Sequence, residues 1–395
     1  MSNTATRLQS LLDLLSSYAQ EKALEVSTSK TVVMVFGSQR DTTTLYYRGQ
    51  EIRRVEEFKY LGLHLSTSFS LHRVTGHAQA LFLAGIRKAT TYASQYGTSR
   101  VAATHLRLFQ QYGLSSGFYG AQLWALPWLA IDSLAPQERH YNQFMRSLLG
   151  VGRKAKMVAV LHECGAPPLR LYWWRLIIRF WNHLVGHNSS LIKLALEADR
   201  VHPGSKTWLG KLRKAALHNK AATAFGAIVV GSKMEVGLVL RDVRDEFIRG
   251  YGDVSLHYRE HRSVLSFYWA CIHKQPRVGI SNLFELKKPD YFKVALGLTA
   301  RSHLARFRLR TFGLRFSKSA WVNSLGRDCP LCANGIQDEE HVLFECRFEG
   351  VVALRARFQC LFADQPLRAF LNQNPRMLAK FFLELAKVLE SDGHR

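Results

Sequence analysis

The amino-acid sequence predicts an α+β chain that is mostly α, and three observations predict it. A helix and several short strands fill about the first 65 residues, and long stretches with apolar residues three and four apart follow them. Near residue 330, cysteines crowd together at the spacing of a small metal-binding module. A chain of 395 residues is too long for one hydrophobic core, so more than one folding unit is expected. Hydrophobic residues at 47% and charged residues at 21% are ordinary for a folded protein and exclude disorder over most of the length.

Leu8, Leu11, Leu12, Leu15 and Tyr18 recur at helical spacing with polar residues between them, so 5–24 reads as an amphipathic helix. Residues 31–36 are continuous and β-branched, lie between Ser29-Lys30 and Gly37-Ser38, and read as a buried strand. Segments 44–48 and 51–55 flank Gly49-Gln50, a two-residue loop with glycine where a type II′ turn needs positive φ. An apolar stretch over 58–65 closes this block. From His72 onward the pattern turns helical, over 73–93, 101–112 and 136–149. Pro167-Pro168 precedes an apolar helix over 169–181, in which Trp173, Trp174 and Trp181 are expected in the core. After a loop at 202–205 comes a basic helix over 206–220, then weakly patterned sequence to about 260.

A formal net charge of +24 repels itself in a compact state unless a polyanion offsets it, so RNA or DNA is the expected partner, with affinity that falls steeply with salt. On the basic helix, Lys206, Lys211, Arg213 and Lys214 offer a phosphate-tracking face, with Trp208 as a stacking surface. Arg301, Arg306, Arg308, Arg310 and Arg315 alternate with Leu304, Phe307, Leu309 and Phe312, and this dense cluster is the stronger expectation for nucleic-acid contact. No stretch approaches the roughly 18 apolar residues of a membrane span. The longest near-apolar run, 123–131, contains Pro127, so no membrane partner is expected. The N-terminus lacks a basic segment followed by an apolar one, which points to an intracellular protein, nuclear or cytoplasmic. The oligomeric state is not legible.

Six cysteines are too sparse for a disulfide scaffold, yet Cys329, Cys332 and Cys346 lie within eighteen positions. With His341 they form Cys-x2-Cys-x8-His-x4-Cys, a CCHC pattern suited to tetrahedral zinc. Asn334-Gly335 is a good turn dipeptide, after which 339–346 is expected to enter a helix. His341 and Cys346 are five apart, more than one α-helical turn, so a local distortion is needed for both to face one ion. Four protein ligands leave no open position for water, so the zinc is expected to be structural. Cys164, Cys271 and Cys360 are expected to be core thiols outside the site.

These residues resemble the C-terminal portion of non-LTR (LINE-type) retrotransposon reverse transcriptases. Lys30-Thr31 with its following strand is similar to the palm's motif D. Phe58-Lys-Tyr-Leu-Gly62 is similar to the hairpin that leads to the thumb, and Arg301-Ser-His-Leu304, Arg327-Asp-Cys-Pro-Leu-Cys332, Glu340-His341 and Cys346-Arg347 to the C-terminal zinc knuckle. The resemblance implies a palm remnant over 1–66, a helical thumb-like region over 67–200, a basic helical connector over 201–298 and a zinc-binding domain over 299–395. It also implies RNA-directed DNA polymerase chemistry, in which aspartates hold two Mg ions and Lys30 assists at the triphosphate. The catalytic Tyr-x-Asp-Asp turn is absent: the chain has no Asp-Asp pair, and Asp13, Asp41, Asp132 and Asp199 stand in unrelated contexts. Lys30 is then only a motif-D remnant, no residue is catalytic, and Mg is expected only for a full-length polymerase. The expectation is a truncated reverse transcriptase-like protein that binds RNA or DNA. The alternatives are a fragment active only in its full-length form and a stand-alone nucleic-acid-binding protein derived from such an element.

Overall fold

The computed structural model describes residues 4–37, 43–68, 70–201, 204, 207–249, 264–272, 288–318, 328–362 and 366–391. The chain is mostly helical, with six strands of two to four residues among those described, and it divides into two compact units, Met1–Ala78 and Gln79–Arg395.

In the first unit, the Thr4 hydroxyl accepts a hydrogen bond from the Arg7 amide and opens α1 (Ala5–Glu21), in the place expected of it. From α1, the Gln9 amide donates to the Tyr46 carbonyl and accepts from the Tyr46 N–H, each at 2.9 Å, and so ties the helix to β2 (Tyr46–Tyr47). β2 pairs with β3 (Gln50–Glu51), Tyr47 opposite Gln50, so the turn is Arg48-Gly49, one residue earlier than the glycine suggested. Both turn residues have positive φ, 50° and 75°, as a type I′ turn requires. Leu61-Gly62, at 47° and 84°, repeats this between β5 (Glu57–Tyr60) and β6 (Leu63–Ser66).

The strand expected over 31–36 shrinks to β1 (Val32–Val33), paired in parallel with β4 (Arg53–Arg54), and its valines are half-buried rather than buried. One two-residue neighbour on one edge is too little to sequester it. On α1 only Ala19 is buried, while Leu11, Leu14, Leu15 and Tyr18 are 41%, 67%, 41% and 52% exposed.

The second unit is helical. α2 (His72–Gln95) begins in the first unit and runs into the second, where Gly85 meets the π-helical turn Gln110–Leu114 that follows α3 (Ala102–Phe109). A Cβ at Gly85 would lie 2.5 Å from both the Gly113 Cα and the Tyr112 carbonyl oxygen, distances no real side chain tolerates. Gly85→Ala gains roughly 1 kcal/mol of helix propensity. It should nevertheless lower the melting temperature followed by circular dichroism, and a raised one contradicts this close approach.

α4 (Pro136–Leu149) starts with proline in its first turn, and the Glu138 carboxylate accepts from the Ala135 amide at 3.0 Å. The same carboxylate holds Arg170 at 2.8 Å, which links α4 to α6 (Leu169–Gly186) beyond α5 (Met157–Cys164). Trp173, Trp174 and Trp181 of α6 are fully buried, as expected, and each such side chain contributes roughly 2–3 kcal/mol by leaving water. Asn182 of α6 donates to the Met234 carbonyl and accepts from its amide, at 2.9 and 2.7 Å. This clamp precedes α10 (Val236–Arg249), which packs on α6 after α7 (Ser190–Val201), α8 (Trp208–His218) and α9 (Ala222–Val230).

Toward the C-terminus, α11 (Leu298–Arg308) lies along α13 (Pro375–Ser391), with the Phe307 and Phe382 rings 4.3 Å apart, and also touches α4. α12 (Glu349–Arg357) packs on α13 from elsewhere. No helix among the described residues is long and apolar enough to cross a membrane.

Candidate metal centre

Cys329 begins a tight knuckle. Asp328 bridges to Ile336, the Cys329 amide donates to the Gly335 carbonyl at 2.8 Å, and the Ala333 amide donates to the Cys329 carbonyl at 2.9 Å. Gly335 has φ +81°, a conformation that side chains with a Cβ rarely adopt, so glycine suits this turn. Asp338 then accepts from the His341 amide at 2.8 Å and starts the next turn.

That turn resolves the five-residue spacing. His341–Glu345 is π-helical rather than α-helical, and the Cys346 amide donates to the His341 carbonyl at 2.7 Å, closing an i to i+5 ring. The extra residue in the turn brings Cys346 back to the side His341 faces. Arg355 of α12 secures the end of the turn by donating to the carbonyls of Phe344 and Cys346.

The sulfurs of Cys329, Cys332 and Cys346 and a ring nitrogen of His341 all lie within 4.8 Å of one another. Cys329 Sγ and Cys346 Sγ are 3.9 Å apart, and Cys332 Sγ and His341 Nε2 3.3 Å. Two sulfurs about 2.3 Å from one tetrahedral ion stand about 3.8 Å apart, and a sulfur and a nitrogen about 3.6 Å, so these two pairs are close to two edges of one coordination tetrahedron. Nε2 is the nitrogen turned inward, and Nδ1 faces the Glu345 carboxylate at 3.7 Å. Cys329, His341 and Cys346 are buried and Cys332 is half-buried. This group can hold a metal ion, and no second group of three or more ligand side chains occurs among the described residues.

The electrostatics agree with the geometry. Burial opposes ionisation of Cys332, but backbone hydrogen bonds at Asn334 and Arg347 and those of Cys329 and His341 outweigh it and bring the thiol down to about 7. Burial, and the nearness of Cys329 and Cys332, push the Cys346 thiol up to about 12 against a favourable backbone hydrogen bond at Phe348. The surroundings thus favour the thiolate at Cys332 and disfavour it at Cys346. A divalent ion removes that conflict.

The knuckle is tied to the helical unit through buried charge. Arg310 and Glu339 form an ion pair at 3.3 Å, 3% and 4% exposed, and the guanidinium lies over the Phe316 and Phe267 rings at 4.4 and 5.1 Å. The Gln337 carboxamide oxygen accepts from the Arg315 amide at 3.0 Å.

That arrangement corrects the expectation for the arginine cluster. Arg301, Arg308 and Arg310 are 3–4% exposed. Arg301 donates to the carbonyls of Arg100 and Ser99, and Arg308 donates to the Leu371 carbonyl and pairs with Glu163, itself wholly buried. These three brace the interior and are not presented to a polyanion. Arg306 and Arg315 are exposed. On α8, Lys214 is exposed, Lys211 half-buried, and Arg213 half-buried with a bond to the Arg200 carbonyl at 3.1 Å, while Lys206 lies outside the described residues. Trp208 is no free stacking surface: its indole donates to the Gln122 carbonyl at 2.8 Å and its ring meets Phe180. Lys30 is exposed at the end of the short turn Thr28–Lys30. Cys164 and Cys271 are buried as expected, whereas Cys360, expected in the core, is exposed in the short turn Gln359–Leu361; all three lie outside the cluster.

One buried cluster went unread in the sequence. Glu163 accepts from the Tyr268 hydroxyl at 2.7 Å while holding Arg308, so α5, α11 and the turn Tyr268–Ile272 converge on one carboxylate. Its signal was a lone acid in the apolar helix 157–164. No family model matches the chain, and no curated protein or solved structure matches it.

Proposed function

We propose that Cys329, Cys332, His341 and Cys346 hold one structural zinc ion, and that the chain is a reverse transcriptase-like protein that binds RNA or DNA without performing polymer synthesis. The observation that carries this reading is the fit of three sulfurs and one nitrogen, all within 4.8 Å, to one tetrahedral ion. All four positions are taken by protein, so the ion supplies rigidity and no reactive water. The net charge of +24 supports a polyanionic partner. Contact falls to exposed cations such as Arg306, Arg315 and Lys214, since Arg301, Arg308 and Arg310 are engaged inside.

A second reading, a fragment of an RNA-directed DNA polymerase active in its full-length form, is favoured by one observation. The leucine stripe of α1 is exposed and β1 is only half-buried, which suits the end of a larger palm sheet whose neighbours cover both.

Fluorescence anisotropy of the full chain with labelled single-stranded RNA and with duplex DNA tests the first reading. Affinity should fall by roughly 10³-fold or more between about 50 and 200 mM salt, as it does when several phosphates are neutralised. Absent binding at the lower salt, or binding indifferent to salt, contradicts it.

A further inference from the structure

Beside the turn Asp290–Phe292, between α11 and the start of α13, lies a cavity of about 450 Å³. That volume accommodates a small organic molecule. Its walls combine apolar side chains such as Leu304 and Leu378 with three cations, Lys288, Arg308 and Arg368.

The charges of this lining do not balance. Arg308 is neutralised by Glu163, and Asp290, the only acid lining the cavity among the described residues, is paired with Lys293 at 3.3 Å. Lys288 and Arg368 remain, and among the described residues neither side chain makes a hydrogen bond or ion pair. Both are half-buried. Burial first, then repulsion from Arg107, hold the Lys288 ammonium below the usual lysine range, against an opposing effect of Cys164 that exceeds the small further repulsion from Lys293. Two partly desolvated cations lining one cavity call for an anion of matching charge.

We infer that this cavity binds a phosphomonoester, with Lys288 and Arg368 meeting the phosphate and the apolar walls receiving the organic group. A phosphomonoester carries about −1.5 to −2 charges at neutral pH, which matches two unpaired cations. A carboxylate, a sulfate ester or an internal phosphodiester brings one charge and leaves a cation unmatched. Arginine supplies a planar fork that can grip two phosphate oxygens, and lysine supplies a point charge beside it. The same group occurs on free organic phosphates and on the phosphorylated end of a nucleic acid. The inference stands apart from the zinc site, whose residues do not line this cavity.

Isothermal titration calorimetry of the full chain with phenyl phosphate, and with the isosteric monoanion phenyl sulfate, tests the inference. One saturable site per chain is expected, at least tenfold weaker for the sulfate and at least tenfold weaker for phenyl phosphate in both Lys288→Gln and Arg368→Gln. Thermal melts should show both variants folded, and Lys288→Gln relieves repulsion. Competition by 5′-phosphorylated but not unphosphorylated oligonucleotides assigns the natural source to nucleic-acid ends, and its absence assigns it to free organic phosphates. Equal binding of phosphate and sulfate, retention of affinity in both variants, or the absence of a saturable site overturns the inference.

Discussion

Cys332→Ser should release the metal and, with it, the order of residues 328–346. Cys332 is the half-buried ligand, so serine there loses little packing, and any large effect reports coordination. In small zinc domains the ion provides about 10–16 kcal/mol of folding free energy, far more than a knuckle closed by a few backbone hydrogen bonds supplies by itself. Thiol titration makes the outcome countable. In the metal-loaded wild type only Cys360, the exposed cysteine, should react quickly. After chelation Cys329, Cys332 and Cys346 should join it, and in Cys332→Ser the two remaining cluster cysteines should react without any chelator. A variant whose Cys329 and Cys346 stay as protected as in wild type contradicts the expectation.

The second large effect is expected at Glu163, far from the knuckle in sequence. Glu163→Ala strands the Arg308 guanidinium in the interior, still donating to the neutral Leu371 carbonyl but without its counter-charge, and removes the acceptor of the Tyr268 hydroxyl. Breaking a buried pair on one side typically costs about 3–5 kcal/mol, which should appear as a marked drop in the denaturation midpoint. Removing both charges together is a different matter. Glu163→Leu combined with Arg308→Met should be more stable than Glu163→Ala, because no uncompensated charge is left behind. If the double variant is the less stable, the pair contributes more than mutual neutralisation.

What was legible in the sequence was local. The zinc ligands could be read from spacing because a Cys-x2-Cys turn and its second pair form within eighteen residues, and the five-residue gap announced the distortion that the π turn supplies. Long helices such as α2, α4 and α6 were legible because their apolar periodicity repeats over several turns. The turn at Arg48-Gly49 was displaced by one residue because a type I′ turn needs two positive φ values, and only the glycine was visible as a candidate.

The arginines of α11 show a different limit. Arg301, Leu304, Ala305 and Arg308 follow one another at i, i+3, i+4 and i+7, so Arg301 and Arg308 lie on the buried stripe, whereas Arg306 points away from it. That periodicity was readable and outweighs mere density of charge. What could not be read was the partner: Glu163 is 145 positions away, and no local rule connects it to Arg308. The half-buried state of residues 32–33 was equally hidden, because a β-branched run does not specify how many neighbours its strand will find.

X-ray absorption at the zinc edge, on the full 395-residue chain purified without added metal, reads the ligands of the cluster directly. The geometry predicts one zinc per chain with three sulfurs at about 2.3 Å and one nitrogen at about 2.0–2.1 Å. A folded chain without zinc, or a zinc with oxygen in place of any of these four ligands, would contradict it.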